Sequence, residues 1–344
     1  MRKIKDTLYK IQQKGLDIAV KYIIYQWINR ERKISFGEKN SDKTFYLIRG
    51  VDYKSKFYTG VDLNLLANYS YVISHFMYAK KRGWIPIVDQ INYPVYNQER
   101  FTVHGTNNPW EYFWEQPGGF SLETVYDSKN VVLSKRSWYR PGNPEYSIKL
   151  HSDPKSIHLY HSLMAMAPLN AETKKYCEEA ERTVFGKRKR ILGVSMRNAG
   201  YALDSTFQAP GHPIQPSIEI LIKEVRKAIH EWNADAVFLA TEENSNIKRF
   251  RKEFGDFLIT YPRQRYDGWR KYSKDDPNPL YLPGKRYQTS LDYLTEMELL
   301  SRCRFFMGSI TSGVRYAIFR NNNQYEHLIL FDCGLFPYSN PTRI

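Results

Sequence analysis

The stretch that decides the fold runs from Arg190 to Pro216, R-I-L-G-V-S-M-R-N-A-G-Y-A-L-D-S-T-F-Q-A-P-G-H-P-I-Q-P. Its first part, Ile191 to Met196, is a short apolar run with β-branched residues, which predicts a buried parallel strand. Arg197 follows directly after that strand. Ligands of open α/β sheets bind outside the carboxyl ends of the strands, and a guanidinium group can bind phosphate through two hydrogen bonds. Arg197 is therefore a candidate phosphate ligand.

The composition indicates a folded globular protein with an excess of positive charge. The chain has 344 residues, of which 42% are hydrophobic and 25% are charged, so it is long enough for two domains of ordinary size. The net charge of +15 suits three acidic partners: nucleic acid, anionic lipid or a nucleotide-sugar diphosphate. No helix-turn-helix, RRM or zinc pattern accompanies the charge, so we rank nucleic acid last and expect no nucleic-acid partner.

The cysteines and the hydropathy bear on the cellular compartment. Cys177, Cys303 and Cys333 are far apart and odd in number, which argues against a disulfide framework or a metal knuckle and favours a reducing cytoplasm. No run reaches the roughly 18 apolar residues that a spanning helix needs, and no secretory segment is recognisable. We expect a cytoplasmic chain that is soluble or peripheral to a membrane.

The N-terminal segment 1–40 is predicted to be an amphipathic basic helix followed by a linker. Within Met1 to Lys33 the apolar residues recur at three- and four-residue steps and lysines and arginines surround them. Such a helix can lie in the headgroup region of an anionic membrane, here the inner face of the plasma membrane. The alternative is a helix that packs its apolar stripe on the protein body and leaves its lysines in solvent.

Residues 41–185 are predicted to form an N-terminal α/β domain on the acceptor side. The strand Thr44 to Ile48, the helix Leu65 to Lys81 and the strand Trp84 to Val88 make one βαβ unit. Further on, a predicted helix from Pro154 to Asn170 carries His158 and His161, and His151 lies nearby. Histidines three residues apart on a helix could hold a metal ion. These histidines have no further ligand pattern around them, so solvated or core positions are expected rather than a metal site.

The aromatic segment Asn107 to Phe120 reads N-N-P-W-E-Y-F-W-E-Q-P-G-G-F. Exposed aromatic rings beside carboxylates stack on sugars and hydrogen-bond to them. We therefore take Trp110, Glu111, Trp114 and Glu115 as candidate acceptor-binding residues. The alternative is a packed loop in which these rings belong to the core.

Residues 186–344 are predicted to form a Rossmann-like donor domain. The apolar strand Ala236 to Ala240 delivers Thr241 and Glu242 to the same sheet edge as Arg197. The strand Arg304 to Gly308 leads into the turn Ser309-Ile310-Thr311-Ser312-Gly313 and then into a helix. A hydroxyl-rich turn at a helix N-terminus offers amides and hydroxyls to a phosphate, although a plain serine-rich helix cap has the same pattern.

A long basic loop, Tyr261 to Thr289, interrupts this domain and is rich in proline and tyrosine. Loops of this length inside a compact domain are usually functional. Its arginines Arg263, Arg265 and Arg270 are candidates to close over a diphosphate.

Several of these segments together resemble the α1,6-fucosyltransferases and their relatives, the Nod-factor fucosyltransferases and the protein O-fucosyltransferases. The resemblance rests on Ser195-Met196-Arg197, Asp204, His212-Pro213-Ile214, Ala240-Thr241-Glu242-Glu243, the segment Thr295 to Ser301, and the turn Ser309 to Gly313. The chain departs from the family at Ser195, where histidine is frequent. It also has Asn198-Ala199-Gly200 in place of a polar run containing an aspartate.

The resemblance implies the GT-B fold, in which two Rossmann-like domains face a cleft. It implies an inverting, metal-independent transfer of fucose from GDP-fucose to a hydroxyl of a bacterial surface glycan or glycolipid precursor, such as a lipid-linked saccharide, with no cofactor. No Asp-x-Asp motif of the metal-dependent class occurs. The donor-binding residues that it implies are Arg197, His212, Thr241, Glu242, Arg265, Glu296, Ser309, Thr311, Ser312 and Gly313.

Two catalytic roles follow from the same resemblance. Arg197 would stabilise the negative charge of the departing diphosphate, and Asp204 would take the proton from the acceptor hydroxyl. For Asp204 a residue that turns the loop or caps a local helix is the alternative. Because Ser195 and Gly200 depart from the family, a non-catalytic GDP-sugar-binding protein of the same fold stays open, as does a transferase that uses another GDP-hexose.

Overall fold

The computed structural model describes residues 20, 23–25, 27–51, 64–136, 148–197, 212–266 and 282–336. The strands are β1 Arg32–Ile34, β2 Phe45–Arg49, β3 Ile85–Asp89, β4 Val131–Leu133, β5 Ile191–Ser195, β6 Ala236–Ala240, β7 Leu258–Ile259, β8 Phe305–Ser309 and β9 His327–Phe331. The helices are α1 Leu65–Lys80, α2 Leu122–Tyr126, α3 Ile148–Ser152, α4 Pro154–Met164, α5 Ala171–Phe185, α6 Ile218–Glu231, α7 Asn244–Phe254, α8 Arg286–Arg302 and α9 Ser312–Asn321.

The first sheet is built on the βαβ unit that the sequence predicts. Its strand order is β1-β4-β2-β3, with β2 parallel to both β3 and β4, and with β1 antiparallel to β4 at the edge. The side chain of Asn64 caps α1 by accepting a hydrogen bond from the amide of Ala67 at 2.9 Å. The strands β1 and β4 have three residues each, too short for a periodic pattern to reveal them.

The second sheet is wholly parallel, with the strand order β7-β6-β5-β8-β9. In β6 the side chains of Val237 and Leu239 enter one hydrophobic cluster while Phe238 enters another, so both faces of the sheet are covered. From β5 the chain proceeds outward through β6 to β7, then crosses back to β8 and proceeds the other way. The topological switch point therefore lies between β5 and β8, where such sheets open a crevice for ligands.

Aromatic packing joins the helices of the two sheets. The ring of Tyr69 on α1 stacks on Trp110 at 5.7 Å between centroids and meets the edge of Tyr316 on α9 at 5.1 Å. Helix α9 begins at the switch point of the second sheet, so this packing sets α1 beside the crevice. The arrangement is the one that the sequence analysis predicts, two α/β layers with a cleft between them.

The predicted N-terminal helix lies mostly outside the described residues. Residues 23–25, 27 and 28 are helical, and Tyr25 packs on the body of the protein. Among the helices that the structure describes, none combines the length and the apolar character needed to cross a bilayer. The domain boundaries at 40/41 and 185/186 stay predictions.

Candidate functional site

A cleft of about 380 Å³ opens at the carboxyl ends of β5, β6 and β8, in the size range of about 300–1,000 Å³ that small-molecule sites occupy. Its position coincides with the topological switch point of the second sheet. The predicted donor-binding residues that line it are Arg197, His212, Thr241, Glu242, Glu296, Thr311 and Ser312. Segments that are distant in sequence therefore meet at one site.

Arg197 stands at the cleft because β5 ends two residues before it. The amide of Met196 still pairs with the carbonyl of Ala240 at 3.0 Å, and the amide of Arg197 donates to Gln215 Oε1 at 3.3 Å. The guanidinium Nε lies 3.8 Å from Glu242 Oε1, and the two side chains are 27% and 22% exposed. A guanidinium group has five N–H donors in a planar arrangement that suits the binding of phosphate oxygens, and this long ion pair orients it.

The end of β6 is held by hydrogen bonds from three directions. Thr241 Oγ1 accepts a hydrogen bond from Asn246 Nδ2 at 3.1 Å. The carbonyl of Thr241 accepts hydrogen bonds from Arg265 Nε at 2.9 Å and from an Arg263 Nη at 3.3 Å. These bonds fix the Thr241–Glu242 turn and thereby fix the carboxylate that orients Arg197.

A buried ion triad lies at the base of the cleft. Both carboxylate oxygens of Glu296 pair with arginines, at 2.9 Å to Arg263 and 2.7 Å to Arg265. The glutamate side chain is 1% exposed and the two arginine side chains are 5% exposed. Burial raises the pKa of the Glu296 carboxyl, and the two guanidinium groups act in the opposite direction. Both guanidinium groups therefore pair with the same carboxylate beneath the cleft.

This burial changes the interpretation of Arg265, which was predicted to bind the donor. One of its Nη atoms donates to the carbonyl of Tyr261 at 2.8 Å as well as to Glu296, while Nε donates to Thr241. Because its guanidinium group is enclosed by these contacts, Arg265 acts on the cleft only through Thr241. The prediction that Arg265 contacts the donor directly is therefore corrected: the residue supports the end of β6. Arg270, the third arginine of the predicted closing loop, lies outside the described residues.

The turn before α9 presents amides to the cleft. Thr311 caps the helix, with Oγ1 accepting a hydrogen bond from the amide of Val314 at 3.2 Å and the carbonyl accepting one from Arg315 at 2.9 Å. The amides of Ser312 and Gly313 belong to the first turn, whose N–H groups have no intrahelical partner. This is the local geometry with which helix N-termini bind phosphate.

Ser309 and Gly313 were predicted to bind the donor, but neither residue is part of the cleft lining. Ser309 is 1% exposed, and its Oγ has no hydrogen-bond partner among the described residues. A Cβ added at Gly313 would lie 2.5 Å from Tyr293 Oη and 2.7 Å from Met297 Sδ. The absence of a side chain at Gly313 therefore lets α9 approach α8 closely, and its only possible contribution to a ligand is its amide.

His212 lines the cleft and is the first residue of the described range 212–266. Its carbonyl accepts a hydrogen bond from the amide of Phe336 at 3.0 Å, which ties this segment to the end of the described chain. Burial, together with the positive charge of Arg197, lowers the pKa of the imidazole. His212 is therefore neutral at neutral pH. Asp204, the candidate base, lies outside the described residues.

Several residues that line the cleft were missed from the sequence. They are Asn64, Leu65 and Tyr96 from the first sheet's side, Tyr266, and Arg286, Thr289, Ser290, Tyr293 and Met297 from α8. The members on α8 recur at three- and four-residue steps, so they form one face of the helix. Helical periodicity carried back to Arg286, where α8 begins, would have found them.

The predicted acceptor residues do not line the cleft. Trp110 and Trp114 are 0% and 2% exposed and pack on Tyr69. A ring without an accessible face cannot stack on a ligand, so the prediction that these two rings stack on a sugar is corrected. Glu111 accepts hydrogen bonds from Thr106 Oγ1 at 2.7 Å and from Asn108 and Gln116, which makes it a structural residue of the loop. Glu115 is exposed away from the cleft lining.

The histidines considered as metal ligands have other surroundings. His151 is fully buried and stacks on Phe319 at 5.1 Å between centroids, and His161 Nδ1 lies 3.0 Å from the carbonyl of Phe319. His158 is exposed. Within the described ranges, no group of three or more histidine, cysteine, aspartate or glutamate side chains is arranged to hold a metal ion.

Comparison with solved structures finds similar folds among fucosyltransferases. The crystal structure of NodZ α-1,6-fucosyltransferase soaked with GDP-fucose is 13% identical over 80% of this chain and 92% of its own, with a TM-score of 0.44. Fucosyltransferase NodZ from Bradyrhizobium is 13% identical over 86% and 97%, with a TM-score of 0.46. POFUT1 in complex with GDP is 9% identical over 85% and 99%, with a TM-score of 0.46.

Neither a protein-family model nor a curated protein matches the sequence. At the identities and TM-scores of the solved structures, the likeness carries no activity or residue role over to this chain. Its function rests on its own residues.

Proposed function

We propose that the chain is a glycosyltransferase that transfers fucose from GDP-fucose to a hydroxyl group of an acceptor. One observation carries the proposal: the guanidinium of Arg197 and the helix-terminal turn at Thr311 and Ser312 line the same cleft at the topological switch point. A guanidinium group and the amides of a helix's first turn both donate hydrogen bonds to phosphate oxygens and offset their negative charge, so together they suit a diphosphate. The resemblance of the motifs around Arg197 and His212 to those of the fucosyltransferases favours a GDP-linked sugar as the donor.

The proposed reaction is an inverting displacement. The acceptor hydroxyl attacks the anomeric carbon of the sugar, the bond from that carbon to the diphosphate oxygen breaks, and GDP departs with the bonding electrons. Arg197 and the amides of the α9 turn would stabilise the departing charge. We assign the role of base to Asp204 because of its position relative to Arg197 in the resemblance to the fucosyltransferases; the two cleft carboxylates Glu242 and Glu296 pair with arginines.

The acceptor that we propose is a bacterial surface glycan or a lipid-linked saccharide precursor. The alternative within the same fold is a protein that binds a GDP-sugar without turning it over. Both candidates predict saturable GDP binding, and only the first predicts release of GDP from GDP-fucose.

Calorimetric titration of GDP, GDP-fucose and UDP into the wild-type chain, without added metal, tests the donor assignment. We expect micromolar binding of the two guanosine ligands and at least tenfold weaker binding of UDP. Release of GDP from GDP-fucose in the presence of candidate acceptors then separates the transferase from the non-catalytic binder. Absence of GDP binding would refute both candidates.

A second part of the proposal concerns the location of the chain, at the inner face of the plasma membrane. The described part of the N-terminal helix exposes Val20, Ile23, Ile24, Trp27 and Ile28, each between 46% and 59%. Opposite them, Tyr25 and Asn29 are buried, and the carbonyl of Asn29 accepts a hydrogen bond from the amide of Arg136 at 3.1 Å. The helix end is therefore fixed to the body while its apolar face points to solvent.

The surrounding charge favours an anionic lipid surface as the partner of this face. Arg30 lies over the Trp27 ring at 4.7 Å, and Arg32 and Lys33 follow it. Interfacial helices combine such an apolar face, an aromatic residue and flanking cations, and each cation near an anionic leaflet contributes about 1 kcal/mol.

We expect the double substitution Ile24→Ser and Trp27→Ser to weaken binding to phosphatidylserine-containing vesicles at least tenfold. Burial of one large apolar side chain is worth about 1.5–3 kcal/mol, and about 1.4 kcal/mol corresponds to a factor of ten. Sedimentation with vesicles measures the effect. Leu159→Ser, at a site that is 45% exposed on α4, is the matched control and should bind as the wild type does. Equal sedimentation of the double variant and the control would rule out this face as the anchor.

A further inference from the structure

A buried asparagine on α7 joins the ends of two strands that lead into the cleft. Asn246 is the third residue of the helix and is 4% exposed. Its Nδ2 donates to the carbonyl of Arg197, which follows β5, at 3.2 Å, and to Oγ1 of Thr241, which follows β6, at 3.1 Å. A side-chain amide nitrogen carries two hydrogens, so each acceptor takes one of them. Asn246 therefore connects the two strand ends through a single nitrogen atom.

The position of Asn246 on α7 is one that packing alone would give to an apolar side chain. Phe250, one turn later on the same face, is the other buried residue of the helix, and it belongs to the hydrophobic cluster on one face of the second sheet. A buried amide is unfavourable unless its polar atoms have hydrogen-bond partners. The donors of Asn246 find these partners at the strand ends, which gives a reason for a polar residue at this site.

The backbone of Arg197 depends on side chains beyond the end of the sheet. The hydrogen bonds between β5 and β6 reach Met196, whose amide donates to the carbonyl of Ala240. Past that point, Gln215 Oε1 accepts from the amide of Arg197 at 3.3 Å and Asn246 donates to its carbonyl at 3.2 Å. A binding side chain whose supports are already in place loses less freedom when its ligand arrives, so it binds more tightly.

The same asparagine sets the direction in which the Thr241 hydroxyl donates. A hydroxyl group has two acceptor lone pairs and one hydrogen. Oγ1 of Thr241 accepts from Asn246 and, at 3.4 Å, from the amide of Glu243. Because these two bonds use the lone pairs, the hydroxyl is left to act as a donor, and Thr241 lines the cleft. A donor at this place suits the oxygens of a phosphate.

We propose that Asn246 is a positioning residue of the donor site, which holds the backbone of Arg197 and the hydroxyl of Thr241 in the arrangement that binds the diphosphate. This rests on the proposed function and deepens it, since it assigns part of the nucleotide affinity to a residue outside the cleft lining. Asn246 is not part of that lining, so its effect on a ligand passes through the two groups that it holds.

A double-mutant cycle between Asn246→Ala and Arg197→Ala tests the proposal. Calorimetry measures the affinity for GDP of the tighter binders, and ligand-observed NMR measures that of the weaker ones. We expect Asn246→Ala to weaken GDP binding about tenfold when Arg197 is present, and about threefold or less in the Arg197→Ala background, where no guanidinium group is left to misplace. The remaining loss is the part that passes through Thr241. Losses that agree within about twofold in the two backgrounds would overturn the proposal.

Asn170→Ala is the matched control, because this asparagine has the same chemistry away from the cleft. Its Nδ2 donates to the carbonyl of Glu111 at 2.8 Å, and its Oδ1 caps α5 by accepting a hydrogen bond from the amide of Thr173 at 2.9 Å. The control should lose stability and keep the wild-type affinity for GDP. If Asn246→Ala does not fold, Asn246→Ser, which retains a hydroxyl donor, takes its place in the cycle with the same expectations.

A second readout, which needs no ligand, separates positioning from a general loss of structure. The NMR signal of the Arg197 Nε–H group, identified as the one missing from Arg197→Ala, should move in Asn246→Ala and stay in place in Asn170→Ala. An unmoved signal in Asn246→Ala would also overturn the proposal. Failure of the wild type to bind GDP, measured separately, would instead remove the proposed function on which this inference rests.

Discussion

Replacing Arg197 with alanine is expected to weaken GDP binding by about 100-fold or more. A hydrogen bond to a charged group contributes about 1.5–3 kcal/mol, and a guanidinium fork on a diphosphate makes two of them. Two bonds at the low end give about 3 kcal/mol, a factor of more than 100. Removal of the guanidinium group also takes away a positive charge that lies 3.8 Å from the Glu242 carboxylate, so the charge at the cleft becomes more negative. Calorimetric titration of GDP into both proteins measures the difference.

Two further variants make the Arg197 experiment specific. Arg197→Lys keeps the charge but lacks the planar fork, so its GDP affinity should lie between those of the wild type and the alanine variant. Arg226→Ala removes an arginine that is 55% exposed on α6 and should leave GDP affinity unchanged. If Arg197→Ala keeps its affinity within threefold of the wild type, the diphosphate does not bind at this arginine.

Replacing Glu296 with alanine is expected to lower the free energy of unfolding by about 3–5 kcal/mol. The substitution leaves Arg263 and Arg265 buried without their counter-charge, and breaking a buried ion pair by removing one partner has a cost of this size. Because these arginines also bind the carbonyl of Thr241, the end of β6 loses its support. Denaturant unfolding followed by circular dichroism measures the change.

The control for Glu296 is an ion pair in solvent. Glu231 is 54% exposed and lies 3.8 Å from Lys227, so Glu231→Ala should change the free energy of unfolding by less than about 1 kcal/mol. Glu296→Gln retains the shape and one acceptor oxygen, and its loss of stability should be smaller than that of the alanine variant. A cost below about 1 kcal/mol for Glu296→Ala would mean that the triad does not support the cleft.

The second sheet shows which features of the fold can be predicted from a local sequence pattern. The apolar run predicts the strand Ala236–Ala240 at its observed bounds. Strands of a parallel sheet are covered on both faces, so they appear in the sequence as unbroken apolar runs. Arg197 could be placed at the sheet edge for the same reason, since the residue that follows such a run stands where the strand ends.

The aromatic segment shows where local pattern fails. Trp110 and Trp114 have the residue types of a sugar-binding surface and also those of a core, and the sequence alone does not distinguish the two. The structure decides in favour of the core because α1 brings Tyr69 against both rings. The start of α8 shows a related limit, because its capping carboxylate, Glu99, belongs to a segment almost 190 residues earlier in the chain.

The sequence by itself determined the alternation of strands and helices and the polar residues at the strand ends, because both depend on the order of side chains along a few turns or a single strand. Only the tertiary structure decided which of those residues share a cleft and which are buried beneath it. It placed Arg265 beneath the end of β6 and Arg286 in the lining of the cleft. Burial and proximity are properties of segments that meet in space, and no local pattern encodes the partner that another segment supplies.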